Sequence, residues 1–144
     1  MANGDASASP LPMIGTAIGA GEGLAIGAVA FVLFDNPAFA AGIGLVSAAG
    51  GALFVPYILS FGAIQEGDVD PGALPGAGAV HSGALGAALS SAAISGLAAR
   101  FVVESTAVPL AIALGYAALA FLVLRFVLPD ADGIPDSDVE LSVQ

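Results

Sequence analysis

Four long apolar stretches dominate this chain and limit what it can fold into. They cover residues 11–34, 38–64, 79–103 and 107–128, and the charged side chains lie almost entirely outside them. Each stretch supplies the roughly 20 residues that an α-helix needs to cross the hydrocarbon of a bilayer. A backbone in lipid has to satisfy its own hydrogen bonds, and a helix does so within one segment. The sequence therefore predicts an all-α fold, an integral membrane bundle of four transmembrane helices.

Composition argues against a soluble domain. Of the 144 residues, 58% are hydrophobic and only 10% are charged, whereas an average soluble domain is about 45–50% apolar and about 25% charged. So few polar side chains would leave most of the apolar surface uncovered in water. We therefore expect lipid to be the solvent for most of the chain.

The four predicted spans form one membrane domain over residues 11–128. A polar N-terminal segment, 1–10, precedes it, and an acidic tail, 129–144, follows it with five carboxylates and is expected to be flexible. A polar loop rich in Pro and Gly, 65–78, separates the second span from the third. The N-terminal segment lacks the basic region of a signal peptide, so we expect the first span to stay in the mature protein.

Capping residues and prolines mark several predicted helix ends. We expect Ser9 as N-cap and Pro10 in the first helical position to begin the first span, and Asn36 to cap the second. Pro56 lies inside the second span and cannot donate a backbone hydrogen bond to Ala52. We expect a kink there that faces protein, since lipid cannot satisfy the freed carbonyl.

The number of spans and the positions of the arginines bear on the side of the membrane that holds the termini. An even number of spans places both termini on one side. The positive-inside rule counts Lys and Arg near the span ends, but Arg100 and Arg125 fall at opposite faces and give no preference. We expect a multi-pass protein of the cell membrane with cytoplasmic termini, because proteins with an even number of spans more often keep both ends in the cytoplasm.

The charge balance narrows the possible partners. The chain has twelve carboxylates, two arginines and no lysine, which gives a formal net charge of -10. Phosphate binding needs clustered Lys and Arg, so we exclude nucleic acid as a partner. The expected partners are the lipid bilayer and other membrane helices, in a homo-oligomer or in a larger membrane complex.

The acidic, lysine-free composition with four apolar spans resembles that of small multi-pass membrane proteins of haloarchaea. Exposed carboxylates keep protein surfaces hydrated at molar salt, which screens their mutual repulsion. The resemblance covers the whole chain and rests on composition, so it implies a halophilic source but no site residues. An ordinary acidic tail in a non-halophile is the alternative explanation.

Glycines recur every four positions in the first span, at Gly15, Gly19, Gly23 and Gly27. At 3.6 residues per turn they form a nearly continuous groove along one helix face, and such grooves let helices approach closely in lipid. One hypothesis is a glycine zipper that forms oligomers or lines a pore. The other, which we favour, is packing within the chain. The expected partner is a ridge of small residues on the third span, namely Gly83, Ala87, Ser91, Ser95 and Ala99.

Glu22 stands near the bilayer midplane, in the middle of the first span. An ionisable group at that depth costs about 2.5–3.5 kcal/mol or more, which makes it a candidate functional residue. Counting inward from the span ends places Ser91 and Tyr116 at a similar depth, so we predict an intramembrane polar cluster of Glu22, Ser91 and Tyr116. Two roles stay open for Glu22, a hydrogen-bonded packing residue or a group that takes part in transport.

The sequence carries no pattern that indicates catalysis. The chain has no Cys and a single histidine, His81, which has no second ligand at metal-binding spacing. The sequence also lacks a nucleophile–base pair and a phosphate-binding loop. We therefore predict no enzymatic activity, no cofactor, and no catalytic, cofactor-binding or metal-binding residue.

Two hypotheses for function follow. The first is a non-catalytic membrane component, accessory or self-associating, whose small-residue faces dock other helices. The alternative is a proton- or cation-coupled small carrier that uses Glu22. In its four spans and in the position of Glu22 within the first, the chain is similar to the small multidrug resistance exporters, which implies a dimeric carrier with an essential glutamate. It departs from that family in having no Trp and a long 65–78 loop.

Overall fold

The computed structural model describes residues 11–65 and 81–128, and in these ranges it is helical without any strand. The four α-helices are α1 (Leu11–Phe34), α2 (Pro37–Gln65), α3 (Ser82–Arg100) and α4 (Ala107–Val127). Each helix is long and apolar enough to cross a membrane. The prediction of an all-α bundle with four membrane-spanning helices is confirmed.

The helix ends agree with the predicted spans except at the third. The first span matches α1, and the second and fourth differ from α2 and α4 by at most one residue at each end. The third, predicted to reach residue 103, ends as an α-helix at Arg100. The reason is that the amides of Phe101 and Val102 bond to the carbonyls of Ala98 and Ala99, which tightens the last turn.

Several sequence predictions fall on residues that the structure does not describe. The polar N-terminal segment, most of the 65–78 loop and the acidic tail lie outside the described ranges. The expected capping role of Ser9 and the expected start of the third span at residue 79 lie outside them too.

The helices form a row in which neighbours in sequence are neighbours in space. α1 packs on α2, α2 on α3, and α3 on α4. α4 reaches α2 only at a few points, such as Leu110 against Gly42. Within an 18-residue stretch of each helix, 39% of the residues are accordingly buried in the two inner helices and 17% in the two outer ones. The outer helices α1 and α4 therefore present most of their surface to the membrane.

The glycine groove of α1 packs on α2, not on the third span as expected. A Cβ atom on Gly15, Gly19 or Gly23 would collide with atoms of α2, and Gly27 lies against α2 as well. The opposing surface consists of residues four apart, namely Ala40, Gly44, Ala48, Ala52 and Pro56. The favoured hypothesis of packing within the chain describes this contact correctly, but its partner helix was wrong.

The short turn between α1 and α2 explains this pairing. Only Asp35 and Asn36 separate the two helices. Residues at equal distances before and after this turn therefore lie opposite each other. Gly19 stands 16 residues before Asp35, and Ala52 stands 16 residues after Asn36. Small residues at four-residue spacing on both helices therefore face each other along the hairpin.

The turn itself is held by backbone and side-chain hydrogen bonds. Asp35 has a φ of 44°, in the left-handed region that Asp tolerates better than most residues, and its amide donates to the Phe31 carbonyl at 2.8 Å. Asn36 Oδ1 accepts from the Phe39 amide at 2.9 Å, so its predicted capping role is confirmed. Asn36 Nδ2 also donates to Thr106 Oγ1 at 2.7 Å, which ties this turn to the start of α4.

Pro56 lies inside α2 and is buried. Pro56 has no amide hydrogen to donate to the Ala52 carbonyl. This carbonyl points at α1, since a Cβ on Gly15 would lie 2.7 Å from its oxygen. The prediction that this position faces protein is confirmed. The kink that we expect there stays a prediction.

The face of α2 turned toward α3 carries larger side chains. Ile43 is fully buried and lies against Gly96, and the ring of Tyr57 covers Gly83. Small residues on α3 thus leave the space that bulky residues on α2 fill. At these two positions large side chains of α2 pack on small residues of α3, whereas at Gly50 a small residue of α2 packs closely on Ser90.

A single added methyl group tests the α1–α2 contact. We expect Gly19→Ala to lower the free energy of unfolding by about 1–3 kcal/mol, the usual cost of overpacking, since its Cβ would lie 2.9 Å from the Ala52 Cα. The control is Gly21→Ala, where nothing lies within 4 Å and the helix propensity of Ala predicts no loss. Thermal unfolding in detergent micelles measures both, and equal stabilities would contradict the packing of this face on α2.

Candidate functional site

Glu22 hydrogen-bonds to Ser47 across the α1–α2 contact. It is the twelfth of the 24 residues of α1, and its side chain is partly buried. Ser47 Oγ donates to Glu22 Oε1 at 2.7 Å, and Ser47 is only 1% exposed. The carboxyl therefore accepts a hydrogen bond from a hydroxyl group that is almost completely buried.

Gly51 leaves the space that the carboxyl fills. A Cβ atom at this position would clash with Glu22 Oε2. Ser47 and Gly51 are one turn apart on α2 and so share a face. The carboxyl consequently has the Ser47 hydroxyl at one oxygen and the gap above Gly51 at the other.

The predicted cluster of Glu22, Ser91 and Tyr116 does not form, because Ser91 and Tyr116 lie away from Glu22 in the structure. Ser91 donates its hydroxyl to the carbonyls of Ala87 and Ala88 in its own helix, at 2.8 and 3.0 Å. Tyr116 is 43% exposed on α4, three helices away from α1 in the row. The reason for the difference is the hairpin, because it places α2 and not α3 against the face of α1 that carries Glu22.

Basic side chains lie at the helix ends, far from the carboxyl. α1 and α2 contain no Lys, Arg or His. Arg100 Nη1 donates to the Val103 carbonyl at 2.9 Å, and its guanidinium lies 5.2 Å from the centre of the Phe34 ring. Phe34 is the last residue of α1, so Arg100 sits at the end of the helix and does not neutralise Glu22.

Metal binding has no support in the part of the chain that the structure describes. Over residues 11–65 and 81–128, no three His, Asp or Glu side chains are close enough together to hold a metal ion. The chain has no Cys to add to such a group. The acidic loop and tail lie outside these ranges.

His81 forms a second polar contact, at the end of the helical bundle opposite the α1–α2 turn. It is 8% exposed, and its Nδ1 accepts from the Ala84 amide at 3.2 Å, which caps the start of α3. Nε2 lies 3.2 Å from the Leu128 carbonyl, and the ring packs beside Tyr57 at 5.5 Å. When Nδ1 accepts, Nε2 is the ring nitrogen that can donate, here to the Leu128 carbonyl. One side chain therefore joins the start of α3 to Tyr57 within α2 and to the end of α4.

Sequence reasoning missed this capping role of His81. The favoured N-cap residues are Ser, Thr, Asp and Asn, and the nearest such residue is Ser82, the first residue of α3. The only signal in the sequence was the position of a polar ring directly before a long run of small residues. That signal is weak without the structure.

An apolar groove lies between α1 and α2 on a different side from the carboxyl. Its volume is about 680 Å³, and Glu22 is not among the residues that line it. The lining combines small residues with a few large ones, namely Ala20, Gly23, Leu24, Gly27, Ala28, Phe31, Pro37, Ala40, Ala41, Gly44, Leu45 and Ala48. The hairpin therefore separates a polar pair from an open apolar face.

Removing the Ser47 hydroxyl tests the polar pair. We expect Ser47→Ala to lower the free energy of unfolding by about 1–3 kcal/mol, because it leaves a partly buried carboxyl without its donor. The matched control is Ser95→Ala, since Ser95 bonds only to the carbonyl of Ser91 in its own helix, at 3.2 Å. The same loss in both variants, measured by thermal unfolding in micelles, would mean that the Glu22–Ser47 bond contributes nothing.

Replacing His81 separates its capping role from its contact with α4. We expect His81→Ala to cost about 0.5–2 kcal/mol, the usual loss for a removed N-cap. His81→Asn should recover most of that loss, because an Asn oxygen can accept from the Ala84 amide. Chemical unfolding in mixed micelles gives both values. A variant His81→Asn as unstable as His81→Ala would assign the stability to the Leu128 contact instead.

Comparisons of the chain with protein-family models, with curated proteins and with solved structures found no match. A function has to be argued from the chain itself. Two features of the α1–α2 hairpin bear on it, the open apolar groove and the partly buried hydrogen bond between Ser47 and Glu22.

Proposed function

We propose that this protein is a non-catalytic component of the membrane that associates with a second copy of itself through the groove between α1 and α2. The observation that carries the proposal is the shape and lining of that groove, about 680 Å³ of open apolar space. The groove is lined by small residues such as Ala20, Ala28 and Ala41. Two large side chains project beside them, Leu24 and Leu45, which are 76% and 71% exposed. Large side chains of one copy can thus enter the space above the small ones of the other.

The physics of association in lipid supports the choice of this face. Lipid tails are as apolar as Leu, so helices associate through close packing of small residues and not through a hydrophobic drive. The other outer helix presents bulky side chains to the membrane, and Leu119, Val123 and Phe126 are 68%, 61% and 80% exposed. Such a surface suits lipid tails better than a second helix. α1 and α2 therefore offer the better docking face.

A halophilic source is part of the proposal and is supported by composition. Twelve carboxylates without a single lysine suit a protein whose exposed surfaces face molar salt, where repulsion between like charges is screened. The cell membrane is the proposed location, with cytoplasmic termini.

A disulfide cross-link tests self-association, because the chain has no cysteine of its own. Ala28→Cys places a thiol in the groove, and Leu119→Cys places one on the exposed face of α4 as the control. After oxidation in proteoliposomes at low protein density, we expect the groove variant to form several times more covalent dimer than the control. Intact mass spectrometry identifies the dimer.

Other outcomes of this experiment are equally clear. Equal traces of dimer from both variants would contradict self-association through the groove. A cross-link to a different protein in native membranes, with no dimer in proteoliposomes, would replace the homodimer by an accessory subunit of a larger complex.

A second candidate function is a proton- or cation-coupled small carrier. The observation that favours it is the hydrogen bond between Glu22 and Ser47 in the middle of α1. Ionisable groups at this depth are rare and commonly belong to ion pathways. Transport would require flux in reconstituted vesicles that is lost in Glu22→Gln.

A further inference from the structure

We propose that Glu22 and Ser47 form a proton-binding site in the middle of the membrane, with Gly51 leaving the room for it. The proton is bound at Oε2 of Glu22, so that a carboxylate and a proton become a neutral carboxylic acid. Oε1 accepts the hydrogen bond from Ser47 Oγ at 2.7 Å, and Oε2 lies against Gly51. This inference rests on neither self-association nor transport, since a site can bind a proton without moving it.

A bare charge at the depth of Glu22 is unfavourable. A carboxylate at the centre of the bilayer carries a large energetic cost unless a counter-charge or a proton removes its charge. α1 and α2 contain no basic residue. Arg100 contacts Phe34, which is 12 residues and therefore about 18 Å along α1 from Glu22 at 1.5 Å per residue. No described cation is placed to neutralise the carboxyl.

Other titratable groups in the described ranges are also remote. On α2 the only one is Tyr57, ten residues and about 15 Å from Ser47 along the helix, with its ring beside His81. His81 caps the start of α3, and Arg125 lies in the last turn of α4. Tyr116, also on α4, is 43% exposed. None of these described charged or titratable side chains therefore lies in contact with the Glu22 carboxyl.

The number of oxygens favours a proton over a metal cation. Hard cations take about six to eight oxygen ligands. The described contacts supply two carboxylate oxygens from Glu22 and the Ser47 hydroxyl. The carbonyls of Gly44 and Ala48 face the glycine groove of α1 and belong to the hydrogen-bond ladder of α2. The Ser47 hydroxyl is enough to orient a carboxylic acid at Glu22. The three side-chain oxygens together are too few to replace the hydration shell of a cation.

Infrared spectroscopy of the full chain in vesicles tests the protonation state directly. At neutral pH we expect a carboxylic-acid C=O stretch in the wild type that is missing from Glu22→Gln. A glutamate in contact with water is in general almost fully ionised at that pH, and the difference between the two spectra cancels every carboxyl that the wild type and Glu22→Gln share. No band in a folded wild-type protein would overturn the proposal.

A carbodiimide reaction locates the proton on the chain. Dicyclohexylcarbodiimide takes up the acid proton at nitrogen while the carboxyl oxygen adds to its central carbon, so the adduct contains all atoms of both reactants. We expect peptide mass spectrometry to find the adduct at Glu22 at neutral pH, in at least about tenfold excess over Glu104, because the ionised form does not react and water-exposed glutamates are ionised.

Sodium distinguishes a proton site from a cation site. The infrared and labelling measurements are repeated with sodium chloride and with choline chloride at equal ionic strength. We expect no difference between the two salts. Loss of the acid band and protection of Glu22 by sodium alone would overturn the proton assignment in favour of a cation. Failure of the cross-linking test above leaves these readouts unaffected, so the two proposals fail independently.

Discussion

The close approach of α1 and α2 is the contact on which the rest of the structure depends. Four glycines spaced four apart on α1 meet small residues with the same spacing on α2, and in lipid such backbone proximity replaces the missing hydrophobic drive. It also brings a short polar bond within reach. A wider hairpin would move Glu22 Oε1 away from Ser47 Oγ, which now lies 2.7 Å from it, and would leave the carboxyl facing lipid.

The length of the apolar stretches and the turn residues made most of the fold predictable. Bilayer thickness fixes helix length, and Asn36 and Pro37 marked the start of α2. The partner of the glycine groove was not predictable from spacing alone, because small residues also recur every four positions on the third span. Hairpin geometry decides between the two, since a turn of only Asp35 and Asn36 brings α2 alongside α1 over its length.

The candidate site was predictable in depth and not in direction. Counting inward from the span ends placed Glu22 in the middle of the first span, and Glu22 is the twelfth of the 24 residues of α1. The same counting selects residues of other helices by their depth along the span. It does not give the side of the helix on which each side chain lies. Ser91 turns its hydroxyl back to its own helix, as serines in helices often do. Ser47 lies at the α1–α2 contact and was overlooked because it differs in depth from the centre of its long helix.

The polar pair also removes an ambiguity that the small residues leave. Ridges with a four-residue period still match after α1 slides by four residues along α2, so glycine packing alone permits several registers. In the observed register Glu22 has the Ser47 hydroxyl on one side and the gap at Gly51 on the other. A slide of four residues one way would replace this pair by Gly51 and Val55, without a donor, and the other way by Ile43 and Ser47, without the gap. Only the observed register gives the carboxyl both the Ser47 donor and the gap at Gly51, and the two-residue turn selects the same register.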